Sequence, residues 1–179
     1  MRVLVAAATR HGSTMEIATT IARILEDAGI EIDLKKPEDV RSVVDYGAVV
    51  IGSAVYLGRW LEPARQFVDR CGGDLLGRPV WLFSSGPLGD PAKPDIEPPD
   101  APLIKAATAA IDHRVFPGRL VKSELGFAEK VVVAGVRAPY GDFRPWGDVA
   151  VWARGIADRL RTADLAATLD IAVPAAAEA

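Results

Sequence analysis

The chain has little of the soft metal-binding chemistry on which many small domains rely. Its 179 residues include one cysteine and two histidines, a poor supply for a structural zinc site. The single Cys71 cannot form an internal disulfide, which fits a reducing compartment and gives a cytoplasmic location as the expectation. Long apolar runs are also missing. The longest is about six residues, far short of the ~20 of a membrane-spanning helix, so no integral membrane segment is expected. The amino terminus passes from Met1-Arg2 through Val3-Leu4-Val5 to polar Thr9-Arg10-His11, without a signal peptide's apolar region and cleavage site. Charge of one sign is scarce too: 21 Lys and Arg against 24 Asp and Glu leave a net −3. That balance gives no nucleic-acid footprint. What remains is ordinary globular composition, with half the residues hydrophobic and a quarter charged, in a length that suits one compact domain.

The prolines are unevenly spread. Six of the 13 lie between residues 87 and 102 (Pro87, Pro91, Pro94, Pro98, Pro99 and Pro102), which predicts one long loop. Loops of that length in a compact domain are usually functional. Residues 163–179 hold eight alanines and no large aromatic, and read as a frayed tail behind a domain spanning residues 1–162.

The rest alternates. Residues 3–8 form a short uncharged apolar run, the pattern of a strand buried on both faces. Ile17, Ile21, Ile24, Leu25 and Ala28 then recur at helical spacing, Gly29 is a helix stop, and Ser13 with Glu16 reads as a capping box. Ile30, Ile32 and Leu34 alternate with charges, as in a half-exposed edge strand. Residues 48–51 are another buried strand, ended by Gly52-Ser53. Trp60, Ala64, Phe67, Val68 and Cys71 form a helical stripe, and Cys71 on it reads as a small buried hydrophobe. Residues 80–83 make the next strand and residues 103–111 a helix. Val115, Phe116, Leu120 and Val121 suggest a fifth strand that Pro117 restricts to an edge or bulge. His113 falls at a strand edge. Residues 123–137 fit strand by propensity and helix by the spacing of Phe127, Val131 and Ala134; helix is the expectation. A last helix begins near Trp146.

Alternating strands and helices imply parallel crossovers. With an exposed second strand, the expected fold is α/β: a doubly wound five-stranded parallel sheet in the order 2-1-3-4-5. Ligands of such sheets bind at the carboxyl ends of the strands, at the switch point. That rule selects the segments 9–14, 52–60 and 84–102. A response-regulator receiver shares this topology, but its site needs acidic residues after strands one and three. Residues 6–9 and 51–54 contain none.

The first segment, Thr9-Arg10-His11-Gly12-Ser13-Thr14, joins a strand to a helix. Orphan backbone N–H groups and the helix dipole make that junction an anion site. Gly12 lets backbone approach a phosphate, and Thr9, Ser13 and Thr14 add neutral hydroxyl donors, suited to a dianionic monoester that is held and never transferred. The alternative is that Ser13 and Thr14 only cap the helix. The Gly-Lys-Ser/Thr ending of a Walker loop and the G-x-G-x-x-G fingerprint are both absent.

Thr-x-x-Gly-x-Thr after the first strand resembles the FMN phosphate loop of flavodoxins, with His11 standing where that loop usually has a further hydroxyl. The resemblance implies a flavodoxin-like fold and FMN as cofactor. It makes Thr9, Arg10, His11, Gly12, Ser13 and Thr14 the phosphate contacts. It places Ala54, Val55, Tyr56, Leu57 and Gly58 along the flavin ring, and Ser85, Gly86, Pro87, Leu88 and Gly89 around its other side. Tyr56 or Trp60 could stack on the ring, although the helical stripe favours core packing for Trp60. No aromatic occurs between Ser84 and Lys105, leaving one ring face open to a flat substrate or a quinone.

Residues 47–58 and Arg114-Val115-Phe116-Pro117-Gly118-Arg119-Leu120 are similar to segments of the menaquinone-dependent protoporphyrinogen IX dehydrogenases, which also carry an insertion where residues 122–145 stand. That resemblance implies an FMN-dependent oxidoreductase with a small-molecule or quinone redox partner. Two alternatives stay open: a flavodoxin-type electron carrier, and a non-catalytic flavin-binding or interaction module. Carrier flavodoxins are strongly acidic, and a charge of −3 argues against that alternative. The apolar face of 123–137 fits core or homodimer contact better than a membrane anchor, since it lacks the basic clustering of surface-binding helices; peripheral membrane contact stays open.

Overall fold

The uncharged run at the amino terminus is an inner strand of the sheet, paired on both edges and covered on both faces, where no charge could be solvated. The structure, a computed structural model, describes residues 1–86, 97–135 and 139–172. Its elements are β1 (Arg2–Ala8), α1 (Ser13–Asp27), β2 (Glu31–Lys35), β3 (Ala48–Tyr56), β4 (Arg59–Trp60), α2 (Glu62–Leu75), β5 (Val80–Ser85), α3 (Ala101–Thr108), β6 (Asp112–Phe116), β7 (Arg119–Leu120), α4 (Phe127–Gly135), β8 (Gly141–Asp142) and α5 (Trp146–Ala172). Five strands pair in parallel in the order β2-β1-β3-β5-β6. This is the expected doubly wound topology, once the short β4, antiparallel to β3, is counted in chain order.

The pleat divides the core between the two faces. Val3, Val5, Ala7, Val50, Trp81 and Phe83 face α1 and α5, packing on Ile17, Ile21, Leu25, Trp152 and Ile156. Leu4, Ala6, Val49, Ile51, Val80 and Leu82 face α2 and α3, packing on Phe67, Val68, Leu75 and Ile104. Strands covered on both sides must be apolar at every position, which is why β1, β3 and β5 read as continuous runs. The edge strand β2 buries no position fully, so charged residues are tolerated along it. Cys71 is 2% exposed on α2, and burial pushes its thiol pKa up, so it is the small hydrophobe expected of the stripe.

Four sequence expectations are corrected. β3 does not end at Gly52-Ser53 but continues to Tyr56, because it pairs with β5 through Ala54 and folds back onto β4. The fifth strand stops at Phe116; beyond Pro117 the chain turns, and Arg119 and Leu120 pair with β8 in a separate two-stranded sheet. The capping box does not form: Gly12 is the N-cap, with no side-chain cap bond, and Glu16 turns to arginines. The expected frayed tail begins as helix, since α5 runs ten residues past 162 to Ala172. The helix expected within 123–137 is present as α4, and α5 starts at Trp146. Most of the proline-rich loop lies outside the described residues, and its last residues form the turn into α3, where Pro102 occupies the first helical turn. No helix of the described residues is long and apolar enough to cross a membrane.

Candidate functional site

The carboxyl ends of β1, β3 and β5 converge on a cleft of about 330 Å³, within the usual range for small-molecule sites. Its floor is the loop between β1 and α1. Gly12 has φ +82°, a left-handed conformation that an L side chain rarely adopts, and a Cβ there would meet nothing within 4 Å. The backbone is thus bare where the α1 dipole emerges, and the amides at the start of that helix have no intrahelical acceptor. Ser13 sharpens the point: the residue lines the cleft, and its Oγ is buried with no hydrogen-bond partner among the described residues. A buried hydroxyl left unsatisfied costs about 1–3 kcal/mol, so it marks a place where an acceptor or donor belongs to something else.

One wall is the β3–β4 hairpin. Leu57 and Gly58 form its two-residue turn with φ of 50° and 76°, the pattern of a type I′ turn. Leu57 is 77% exposed at the tip. The Arg10 guanidinium lies 4.3 Å above the centre of the Tyr56 ring, a cation–π contact joining floor to wall. Trp60 does not face the cleft. It is 2% exposed, and its indole Nε1–H donates to Ser84 Oγ at 2.7 Å, so it packs in the core as expected, but from strand β4 and not from the helical stripe, since α2 begins only at Glu62.

The opposite wall comes from β5 and the insertion. A Cβ on Gly118 would touch the Gly86 Cα at 3.4 Å, and Gly86 N–H donates to Phe116 O at 3.3 Å. This close approach carries Arg119, Leu120, Leu125 and Val133 over the cleft. Arg119 Nη2 lies 3.1 Å from Glu124 Oε1 and 3.5 Å from Glu16 Oε1. Behind it, Arg144 is buried, with Nη2 2.6 Å from Asp142 Oδ2 and Nη1 2.7 Å from Glu16 Oε2; it also donates to Ser13 O at 3.4 Å. The Asp142 hydrogen bond holds the Arg144 pKa above its ordinary value, and the same bond holds the Asp142 carboxyl below its own. Arg144 thereby fixes the insertion to the first turn of α1.

Thr9, Arg10, His11, Ser13, Thr14, Ala54, Val55, Tyr56, Leu57, Ser85 and Gly86 all line this cleft. Gly12 and Gly58 stand beside it, as N-cap of α1 and in the hairpin turn. Pro87, Leu88 and Gly89 lie outside the described residues. Sequence reasoning missed Gly118, Arg119, Leu120, Leu125 and Val133. The usable signal was the Pro117-Gly118 break, which ends β6 and turns the chain back across β5. Taken together, the cleft offers N–H and O–H donors at one end and apolar walls for a flat group at the other. That is the chemistry of a phosphorylated aromatic cofactor, and among the described residues no cluster of groups could hold a metal ion.

Comparisons with known proteins bear on the fold and the family. Protoporphyrinogen IX dehydrogenase [quinone] of Escherichia coli (strain K12) is 29% identical over 86 residues, 47% of this chain and 48% of that protein. The chain thus spans about half the length of the curated relatives it matches. Among solved structures, a flavodoxin from the domain Archaea superimposes with a TM-score of 0.61 at 13% identity, covering 90% of this chain and 99% of that one. Rubredoxin oxygen:oxidoreductase from Desulfovibrio gigas gives 0.60 at 15% identity, over 90% of this chain and 36% of that one. These structural likenesses show the fold. A family model described as flavodoxin domain matches residues 4–143, well over half the chain. The chain belongs to the flavodoxin domain family, whose fold implies a flavin cofactor.

Proposed function

We propose that the cleft binds FMN and that the protein is an FMN-dependent oxidoreductase, similar to protoporphyrinogen IX dehydrogenase, that passes electrons to a quinone-type acceptor. The observation that carries this reading is the buried, unpartnered Ser13 Oγ beside the bare N-terminus of α1, opening into a cleft with apolar walls. In this reading Thr9, Gly12, Ser13 and Thr14 hold the phosphate, with Arg10 and His11 beside it. Ala54, Val55, Tyr56, Leu57 and Gly58 flank the ring on one side, and Ser85 and Gly86 on the other. Pro87, Leu88 and Gly89 belong to the same proposed set. The bound flavin supplies the two-electron chemistry, so few acids or bases are asked of the protein. The chain's own part is to bind and orient, and to shield one face behind Leu120 and Leu125.

The test is an absorbance spectrum with an FMN titration, followed by assay of protoporphyrinogen oxidation with a menaquinone analogue. Flavin bands and oxidation with two electrons and two protons passed to each quinone support the reading. Flavin binding without that oxidation overturns the substrate. A folded chain that ignores FMN overturns the whole and leaves a non-catalytic interaction module. The family match favours a flavodoxin-type electron carrier equally. A very low flavin potential, with reduction by a ferredoxin–NADP reductase, would decide for it. A small-molecule or quinone partner, peripheral membrane contact, a homodimer and a cytoplasmic location belong to this proposal.

A further inference from the structure

Arg119 has no counterpart in the hydroxyl-rich phosphate loop, yet it stands over that loop's helix. Its Nη2 reaches Glu16, one turn into α1, and Glu124 in the insertion. Its Nε is buried and has no hydrogen-bond partner among the described residues, and the side chain lines the cleft together with Ser13. Two residues that each hold an orphaned polar atom, Arg119 at Nε and Ser13 at Oγ, therefore line one cavity beside one helix terminus. Both are donors, and an acceptor-rich group seated there satisfies both. Gly118, packed against Gly86, brings the turn that carries the arginine close to β5.

We infer that Arg119 is a specificity residue for the phosphate group of the flavin, donating its Nε–H to a phosphate oxygen and so selecting FMN over unphosphorylated riboflavin. This rests on the flavin reading above. The charge balance says what kind of contact it is. Arg119 and Arg144 face Glu16, Glu124 and Asp142, two cations against three anions, so the network gives no net positive field. Arg119 contributes a directed N–H at a fixed place, and the two carboxylates on its Nη2 fix the direction in which Nε points. The same carboxylates repel a dianion, which gives the inference a sign that a purely structural arginine would lack.

The experiment measures FMN and riboflavin dissociation constants by flavin fluorescence quenching for the full chain, Arg119→Gln and Glu124→Gln. Arg119→Gln is expected to weaken FMN about tenfold, the effect of one lost charge-assisted bond, and to leave riboflavin within about twofold. Glu124→Gln, a half-exposed position whose loss does not threaten the core, is expected to tighten FMN about threefold relative to riboflavin and to reduce the penalty of added salt. An FMN-to-riboflavin ratio unchanged in both variants overturns the inference and leaves Arg119 as a bridge between the insertion and α1. If Arg119→Gln fails to fold, Arg119→Lys decides: it keeps the charge and lacks the Nε–H, so the preference for FMN over riboflavin is expected to fall as for Gln, and an unchanged preference overturns the inference. A wild-type chain that binds neither flavin overturns the flavin reading itself, and does so before any variant is made.

Discussion

Two serines lie at the carboxyl edge of the same sheet and live in opposite circumstances. Ser84, in β5, is completely buried and fully engaged: it accepts from Trp60 Nε1–H at 2.7 Å and lies 2.9 Å from His113 Nε2, whose Nδ1 is 2.6 Å from Glu97 Oε1. A histidine carrying its proton on Nδ1 gives every atom of that chain a partner, with Ser84 donating to Nε2. Ser13, at the start of α1, has a buried Oγ with none. The first arrangement superficially resembles a serine–histidine–acid triad, but an Oγ with no exposure whose lone pair is held by an indole N–H has nothing to attack. It ties the end of the proline-rich loop to β5 and the β3–β4 hairpin, with Asp100 Oδ2 accepting from Trp60 N–H at 2.9 Å. The contrast teaches that a polar group completed by protein belongs to the scaffold. One left open toward a cavity belongs to a ligand. The cavity is essential to that rule: Arg65 and Arg78 also keep an unpartnered Nε, and neither lines this cleft.

Ser84→Ala breaks the comparison on the scaffold side and has the largest expected effect. It strands the Trp60 indole N–H and the His113 ring nitrogen in a dry interior, which costs about 1–3 kcal/mol of unfolding free energy. Urea unfolding of the apo protein measures it. Adding Trp60→Phe removes one stranded donor and is expected to return part of the loss, less whatever the smaller ring leaves as a void. A Ser84→Ala protein as stable as wild type would show that the chain of bonds is ornamental. Ser13→Ala tests the other side. Removing an orphan takes away nothing the apo protein uses and relieves its desolvation cost, so apo stability is expected to hold or to rise by up to about 1–3 kcal/mol. Affinity for FMN is expected to fall about tenfold, or about 1.4 kcal/mol. If apo stability falls as far as for Ser84→Ala, the two serines are alike and the distinction fails.

The same contrast explains what the sequence could disclose. Periodicity is a one-dimensional trace of burial, so β1, β3, β5, the stripe of α2 and the start of α5 were legible, as was the sheet order that follows from them. The residues of the cleft's floor and of its β3–β4 wall were named by a resemblance, the latter as a loop and not as the hairpin they form. Bonds across sequence distance left no trace. Nothing near His113 announces Ser84 and Glu97, and nothing near Arg144 announces Glu16, 128 residues away. The capping box failed because the helix begins one residue earlier than its spacing implies: Gly12 is the N-cap, Ser13 is already the first helical residue, and the Glu16 N–H donates to Gly12 O at 3.0 Å, which leaves the serine hydroxyl over. Gly52-Ser53 misled because ladder pairing on both sides outweighs the weak strand propensity of the pair.

A third polar cluster, half in water, sits between the two extremes and has the smallest expected effect. Asp33 on the edge strand β2 accepts from Tyr46 Oη at 2.6 Å and is paired with Arg2 and Lys35 at 2.8 and 3.1 Å. The Tyr46 hydrogen bond, with help from Lys35 and Arg2, lowers its pKa from 3.8 to about 2. The unfolded chain therefore takes up the proton first as the solution is acidified. The stabilisation from Asp33 is whole above about pH 4 and is lost as pH falls toward 2. Arg2 and Lys35 are about two-fifths exposed, so water and salt screen the pairs, and the contribution is about 1 kcal/mol where complete burial would have made it larger. Asp33→Asn is expected to cost that amount at pH 7 and to flatten the thermal-stability profile between pH 4 and pH 2. Raising the salt concentration should narrow the difference between the two proteins. An Asp33→Asn loss equal to that of Ser84→Ala, insensitive to salt, would mean that solvent access does not separate these networks, and burial would no longer be the variable that ranks them.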